Sequence, residues 1–339
     1  MGTVSFVVVL SKPLTHHGGN VDIVRTVVQR IFLIALVVAI TTFFLSCLIR
    51  LMPGDLATIM VPNALPETVA SIRETAHLDL NVFQYWFKWL GNLVTGDLGY
   101  YFAQSGNTPV LDVIKRTLPT SAILVLYVQI VALVISVPLG LLSAYKEGTR
   151  LDRILQSVLF TLSSIPNFII AVVLVLFFSI KWTLLPPIDY VKPGDDLVQH
   201  FRHLALPVIT LSVALIASYT RLLRADVIAT LKEDYVMMAM SKGISNSRVL
   251  WKHVLRPSST TLLTSAALNM GALIGGTIVI ETIFNLPGLG YEIASAIVQR
   301  QVIALQTLIA IVSFIYVFFN SIVDIVANII DPRTRERRV

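Results

Sequence analysis

Long apolar stretches separated by polar segments make up most of this chain. Six of the stretches are about as long as a helix must be to cross the ~30 Å hydrocarbon core of a bilayer. They cover residues 27–49, 120–145, 155–180, 204–219, 262–284 and 305–330. The pattern therefore predicts an all-α, polytopic membrane protein with six transmembrane helices.

The overall composition also indicates a membrane protein and argues against other classes. Of the 339 residues, 55% are hydrophobic and only 14% are charged, whereas about a quarter of the residues in soluble domains are charged. The net charge of +6 does not indicate nucleic-acid binding, because the basic residues lie between apolar stretches, where they fix topology. Cys47 is the single cysteine and lies inside an apolar stretch, so no disulfide framework or thiolate metal cluster is expected.

Basic residues at the ends of the apolar stretches predict the orientation of the chain. Arg25 and Arg30 at the start of the first stretch, and the arginine-rich tail after residue 331, indicate that both termini are cytoplasmic. Residues 1–24 are expected to be an irregular N-terminal extension, and residues 25–339 to form the membrane domain. This orientation places segment 50–118 outside the membrane and segment 232–257 in the cytoplasm.

The external segment 50–118 contains an aromatic-rich amphipathic piece at residues 82–93. Trp86 and Trp89 suit the membrane–water interface, and the alternative is a binding cleft for aromatic ligands. The segment departs mildly from the rule that positive charge stays inside, which long loops tolerate because they are translocated largely regardless of charge. Its basic residues are Arg73, Lys88, Lys115 and Arg116.

Residues 232–257 are the longest polar interruption in the C-terminal half, and we call them loop 232–257. Four of its residues recur at spacings that share one face of a helix. They are Tyr235, Met238, Ala239 and Lys242. Gly243 is expected to end this helix, and Ser245 or Asn246 to begin a second one. Two short helices around a glycine favour a docking site for a partner, and the alternative is an ordinary cytoplasmic loop.

Three features inside the apolar stretches are candidates for moving parts or for the lining of a path. Pro166 should kink the third stretch, either as a moving part or as static packing. Gly271 and Gly275 lie on a small-residue face suited to close helix contact. Glu281 either faces a translocation path or caps the polar loop that follows it.

Motifs for nucleotide and metal chemistry are missing from the sequence, which argues against an enzyme. It contains no G-x-x-x-x-G-K-[ST], H-E-x-x-H or C-x-x-C motif, and no apolar stretch is dense in Asp, Glu or His, as a proton relay would be. We therefore expect no cofactor in this chain. The energy for any transport would come from a partner that acts through loop 232–257.

Several short motifs resemble the inner-membrane permease subunits of ABC importers, specifically the first (B-type) permease of the dipeptide/oligopeptide/nickel family. Residues 234–256 are similar to the EAA loop of that family, although Met237 and Met238 stand before Ala239 where the general pattern has Glu and Ala. The likeness runs from about residue 25 to the C-terminus. The other motifs are MPGD at 52–55, QYWFKWL at 84–90, GDLG at 96–99, SIPNF at 164–168, ETIF at 281–284, PGLG at 287–290 and DPR at 331–333.

The resemblance implies the type I importer permease fold in a bacterial inner (plasma) membrane. It also implies a homologous second permease, two cytoplasmic ATPases that bind ATP and magnesium, and an extracytoplasmic substrate-binding protein. Loop 232–257 would then be the coupling element that docks on an ATPase. The residues assigned to it are Asp234, Tyr235, Met238, Ala239, Lys242 and Gly243. The candidates for the path or its gate are Pro166, Gly271, Gly275 and Glu281.

The substrate and the mechanism leave alternatives open at this point. A peptide is the first expectation, and nickel or another small solute is possible within the same family. Histidines suited to nickel are scarce in the apolar stretches, which favours a peptide. A channel or a scaffold without ATPase coupling is the alternative from a different class.

Overall fold

The computed structural model describes residues 19–103 and 106–330, with the side chains of residues 28–103 and 106–323. Most of the expected N-terminal extension lies outside the described residues, as do the DPR motif and the arginine tail. Helices dominate the described part of the chain. In order they are α1 Gly19–Arg50, α2 Leu56–Met60, α3 Pro66–Thr75, α4 Val82–Thr95, α5 Val110–Tyr145, α6 Arg150–Ser164, α7 Asn167–Leu174, α8 Leu197–Leu231, α9 Asp234–Ser241, α10 Asn246–Arg248, α11 Leu255–Gly276, α12 Ile278–Ile283, α13 Leu289–Val298 and α14 Val302–Ile330.

Two π-helical turns and one hairpin complete the regular structure of the described residues. The turn Val175–Lys181 continues α7, and the turn Val249–Val254 joins α10 to α11. Strands β1 (Tyr100–Tyr101) and β2 (Thr108–Pro109) pair antiparallel, with Tyr100 opposite Pro109.

The polytopic all-α architecture is confirmed at the level of four or five crossings. Four helices in the described part of the chain are long and apolar enough to span a membrane, and α6 with α7 would make a fifth if the bent pair is one span. The four are Val28–Arg50, Val110–Tyr145, Leu197–Leu231 and Val302–Val323. Helix α11 is not among them, because its first half is rich in serine and threonine. It packs against α5, α8 and α14, and such protein contacts let a helix carry hydroxyl groups.

The second predicted stretch begins too late in the sequence-based assignment. Helix α5 starts at Val110, so residues 110–118 of the segment 50–118 are helical and continuous with the second stretch. Val110 and Ile114 are buried against α13 and α14, so tertiary packing extends the helix beyond its apolar centre. The fourth stretch is likewise part of the longer α8, which begins where Asp196 accepts hydrogen bonds from the N–H groups of Val198 and Gln199.

The third predicted stretch is a broken helix and not a kinked one. Helices α6 and α7 meet at an angle of 96°. Ile165 has extended backbone angles (φ −84°, ψ 126°), because the ring of a proline disfavours helical geometry in the residue before it. Pro166 itself lacks an N–H and stands immediately before α7, where no helical hydrogen bond is lost.

Small residues set the closest helix contacts. A Cβ added to Gly140 of α5 would lie 3.0 Å from Cδ2 of Leu223 on α8, and one added to Gly271 of α11 would lie 3.2 Å from the carbonyl oxygen of Tyr316 on α14. The prediction that Gly271 serves close helix contact is therefore confirmed. At Gly275 an added Cβ would make an ordinary contact, 3.9 Å from Val312, so the requirement for glycine is weaker there.

Residues 51–109, which we call the N-terminal layer, are fixed to the body by buried side-chain amides. Nε2 of Gln301 donates to the carbonyl oxygens of Phe102 (2.8 Å) and Met60 (3.3 Å), and its Oε1 accepts from the N–H of Phe102 (2.9 Å). The hydroxyl of Tyr85 donates to Oε1 of Gln306 at 3.1 Å. Gln301 immediately precedes α14 and Gln306 lies near its start, so this end of the helix positions the layer.

The predicted amphipathic piece is helix α4. It begins with a capping box between Asn81 and Gln84 and ends at Gly96, whose φ of 88° suits a glycine C-cap. Trp89 is buried, so it is a packing residue and not an interface anchor. Trp86 donates from Nε1 to Thr42 Oγ1 at 3.1 Å and so fixes α4 to α1.

Candidate functional site

Loop 232–257 contains a short helix whose end is determined by a glycine, as predicted. Helix α9 ends at Ser241, and Gly243 follows with φ +76°, a left-handed conformation that favours glycine. The N–H of Gly243 donates to the carbonyl of Met240 (2.9 Å), and the N–H of Ile244 donates to that of Ala239 (3.3 Å). This is the complete Schellman pair of hydrogen bonds, which fixes how the chain leaves the helix.

One side of α9 rests on an apolar seat. Val236 is fully buried and Ala239 is 8% exposed. They belong to a cluster with buried residues from the ends of α5 and α8 and from α11, among them Leu141, Leu223 and Leu262. The predicted shared face is therefore wrong for Ala239, since it points into the seat while Tyr235 and Met238 point away. Helical spacing alone could not show this, because Ala239 is also compatible with the neighbouring face.

The second short helix begins as predicted but does not stay separate. Ser245 is the residue before α10, and Nδ2 of Asn246 donates to the Tyr145 hydroxyl at 2.7 Å. After Arg248 the chain continues through the π-helical turn directly into α11. Val249 and Val254 of that turn are fully buried in the same seat. A displacement of the loop would therefore be transmitted directly to α11.

The outer side of the loop exposes large apolar side chains. Burial raises the pKa of Tyr235, with nearby Glu233 adding to the effect, so its hydroxyl is neutral at physiological pH. Lys242, Arg248 and Lys252 are exposed around this surface. The exposed apolar residues, which we call the outer face, are Tyr235 (48%), Met237 (50%), Met238 (59%), Met240 (40%) and Trp251 (53%). A polar loop with such a patch is typical of a surface that contacts another protein.

A buried ion pair supports the helices under the seat, and the sequence analysis missed it. Nε and Nη2 of Arg224 donate to the two carboxylate oxygens of Asp152 at 2.9 and 2.8 Å. Ser143 and the N–H of Gly148 also donate to Asp152. The side chain of Asp152 is 4% exposed and that of Arg224 is 24% exposed. The pair joins α6 to α8, and its 72-residue separation in the chain gives no local signal.

Glu281, a predicted candidate for the path, is held inside this chain. It is fully buried, and its Oε1 accepts hydrogen bonds from Ser121 (2.8 Å) and Thr277 (2.8 Å). Its Oε2 accepts from the N–H of Tyr291 at 3.0 Å. A Cβ added to Gly288 would lie 2.3 Å from Oε2, so the PGLG turn wraps closely around the carboxylate. The geometry favours the alternative in which Glu281 organises the following loop.

The remaining candidates are dispersed and form no common site. Pro166 stands at the break between α6 and α7, and Gly271 and Gly275 lie along α11 where it packs on α14. Asp234 opens α9, and Lys242 is its C-cap residue. Only the residues of loop 232–257 are brought together on one surface, so the loop is the candidate functional site.

These features define a class: a multi-pass helical membrane protein with an exposed apolar surface on one polar loop. The chain belongs to the family of binding-protein-dependent transport system inner membrane components, whose family model matches residues 136–336. That match includes loop 232–257, helices α8 and α11, and the last turns of α5. The expected resemblance to permease subunits is thereby confirmed.

Individual relatives cover nearly the whole chain. A probable peptide ABC transporter permease protein, y4tP of Sinorhizobium fredii, is 32% identical over 310 residues, which are 91% of this chain and 98% of the relative. The oligopeptide transport system permease protein AppB of Bacillus subtilis is 34% identical over 83% of this chain and 90% of its own length. The oligopeptide transport system permease protein OppB of Haemophilus influenzae is 33% identical, with 85% and 92% covered.

Proposed function

We propose that this chain is one of the two permease subunits of an ATP-driven importer that carries peptides across a bacterial inner membrane. The names of the similar proteins support the substrate class, since those quoted above are permease proteins of peptide or oligopeptide transport systems. The family supports a binding protein as the source of substrate. A second permease would complete the path, and partner ATPases would hold ATP and magnesium.

The outer face of loop 232–257 is the observation that carries the coupling role. Its side chains are apolar and exposed, whereas the opposite side of the same short helix is buried. A rigid element with one buried side and one exposed apolar side is suited to docking in a groove of a partner. Because the π-helical turn continues into α11, movement of a docked ATPase would reach the membrane helices without a flexible linker.

The proposed topology has six crossings with both termini in the cytoplasm. Helices α1, α5, α8 and α14 supply four of the crossings, α6 with α7 supplies one, and α11 with α12 supplies one. In this proposed topology the N-terminal layer would lie outside and loop 232–257 inside. The basic residues Lys242, Arg248 and Lys252 of the loop agree with a cytoplasmic position.

Reconstitution tests the proposal directly. The chain would be purified with the second permease and the ATPases of its own transport system, placed in proteoliposomes, and supplied with the binding protein and a radiolabelled oligopeptide. We expect uptake that requires both ATP and the binding protein, together with ATP hydrolysis that the loaded binding protein stimulates. Peptide flux that is independent of ATP would contradict the importer and indicate a channel.

A further inference from the structure

A cleft far from loop 232–257 in the sequence contains charges that the proposed coupling does not use. It has a volume of about 400 Å³ and lies between the N-terminal turns of α5 and the segment that precedes α8. Pockets for small ligands have volumes of about 300–1,000 Å³. The residues that matter for its chemistry are Lys115, Arg116, Ile123, Tyr190, Lys192 and Asp195.

The cations of the cleft are exposed and lack salt-bridge partners among the described residues. None of Lys115, Arg116 and Lys192 takes part in the ion pairs of the described part of the chain. Arg116 interacts electrostatically with the half-buried Glu292. Burial raises the pKa of Glu292 above its usual value, and the positive charge of Arg116 offsets part of that rise. Three cations directed at one cleft attract an anion, because their mutual repulsion is relieved when a negative charge binds between them.

The wall that carries Lys192 and Asp195 is fixed by the fold. The N–H of Asp195 donates to the carbonyl of Lys192 at 3.1 Å, which closes a turn with Pro193 in its second position. His200 is fully buried, and its Nδ1 lies 2.8 Å from the carbonyl oxygen of Val191. The ring of His200 also packs edge-on against Tyr190 at 5.6 Å between centroids. The cleft is therefore formed before any ligand arrives.

The mixture of charges selects among possible anions. Asp195 is the single carboxylate that lines the cleft, and Asp112, one turn before Arg116 on α5, does not line it. A phosphate group with two negative charges would be repelled by Asp195. A peptide has one terminal carboxylate, an ammonium group that Asp195 could pair with, and side chains that could lie on Ile123 and Tyr190.

We propose that this cleft is an entry subsite that binds the terminal carboxylate of a peptide through Lys115, Arg116 and Lys192. This proposal rests on the proposed function and topology. In that topology the cleft faces the side from which the binding protein delivers substrate. It also gives a role to Lys115 and Arg116, two cations on the side of the membrane where positive charge is disfavoured.

Binding to the complete transporter, measured without the binding protein, tests the subsite. The complex in nanodiscs would be titrated with tri-alanine and with tri-alanine amide, and weak binding would be followed by saturation-transfer NMR. We expect tri-alanine to bind about tenfold more tightly than the amide, because a charge-assisted hydrogen bond depends on the carboxylate. Arg116→Gln and Lys192→Gln should each remove most of this difference. Lys88→Gln, which changes an exposed cation of α4 outside the cleft, should leave it unchanged.

Each outcome decides a different claim. Equal binding of the two peptides, no binding of either, or an unchanged preference in Arg116→Gln and Lys192→Gln would overturn the subsite. Loss of tri-alanine binding when phosphatidylglycerol replaces phosphatidylcholine in the nanodiscs would assign the cleft to a lipid phosphate and overturn it as well. ATP-driven uptake by the same preparation is the separate test of the proposed function. Uptake without a carboxylate preference in the cleft would leave that function standing and remove only the subsite.

Discussion

The N-terminal layer and loop 232–257 are both polar segments between membrane helices, yet they are attached to the body in different ways. The layer shares an apolar cluster with Val302 and Ile303 and is held in addition by directional hydrogen bonds from Gln301 and Gln306, buried amides whose partners are specific atoms. The loop rests mainly on an apolar seat in which Val236 and Val249 are fully buried, with one side-chain hydrogen bond from Asn246 to Tyr145. Directional bonds fix one position, whereas apolar contact is non-directional and tolerates small sliding.

The two segments also differ in what they present outward. The loop combines its seat with an outer face of exposed methionines and aromatic residues. The N-terminal layer also exposes apolar side chains, among them Phe83 and Phe87 of α4, but its exposed charges include an ion pair within the layer, with Arg73 Nη2 2.9 Å from Asp55 Oδ1. The contrast agrees with the proposed role of the loop, in which a partner covers it and moves it, while the layer keeps a fixed position. Four experiments would break or sharpen this contrast.

The largest effect is expected at the ion pair under the seat. Asp152→Ala would leave Arg224 without its partner, and breaking a buried pair in this way costs about 3–5 kcal/mol. Thermal unfolding of the purified protein should therefore shift strongly to lower temperature. Arg153→Gln, at an exposed position in the same turn, is the matched control and should change little. A small effect of Asp152→Ala would mean that the seat alone holds this side together.

The next effect is expected at the attachment of the N-terminal layer. Gln301→Leu removes three hydrogen bonds and leaves the buried peptide groups of Phe102 unpaired, which costs about 3 kcal/mol. Hydrogen exchange should become faster in residues 98–103 and remain unchanged in loop 232–257. Gln299→Leu, at an exposed position two residues earlier, serves as the control. Equal acceleration in both segments would show that they unfold together and that the contrast is not real.

Substitutions in the seat should change the stability of the protein, whereas substitutions on the outer face should change its association with the ATPase. Val236→Ala removes buried methyl groups and should lower the free energy of unfolding by about 2 kcal/mol. Met238→Ala, on the outer face, should change stability by less than about 0.5 kcal/mol but weaken association with the ATPase. Unfolding temperature and co-purified ATPase would be measured for both variants. If Met238→Ala lost stability and kept its ATPase, the assignment of the two sides would be reversed.

The smallest effect concerns pH. A hydrogen bond from Thr58 and the nearby Arg73 hold the pKa of Asp55 below its usual value of 3.8, against a smaller opposing effect of burial. A carboxyl group whose pKa is lower in the folded state stabilises the fold above its unfolded pKa, and this contribution is lost as the pH falls through the folded value. The difference in unfolding temperature between the wild type and Asp55→Asn should therefore shrink below about pH 4. A difference that grows on acidification would contradict the sign.

Local chemistry in the sequence predicts the parts of the molecule that depend on near neighbours. Gly243 ends α9 and Ser245 precedes α10 because capping depends on a few adjacent residues. The 96° break at Pro166 was underestimated as a kink, since proline reveals an interruption but not its angle. The inward direction of Ala239 was missed because it depends on the shape of the seat.

Features that join distant parts of the chain could not be predicted. The pairing of Arg224 with Asp152, the bonds from Gln301 to Phe102, and the enclosure of Glu281 by Ser121 connect residues 72, 199 and 160 positions apart. A sequence shows that such residues are polar but not which partner each one meets. The early start of α5 has the same cause, because its first turns are stabilised by contacts with α13 and α14.

Co-purification of the ATPases is the most direct test of the central claim, that loop 232–257 is the docking site through which ATP drives this permease. The measurement is the amount of ATPase retained by the wild type and by Met238→Asp, which places a charge in the centre of the outer face and leaves the buried seat unchanged. We expect the wild type to retain its ATPases and Met238→Asp to lose most of them while unfolding at the same temperature. Retention of the ATPases and of stimulated ATP hydrolysis by Met238→Asp would contradict the account.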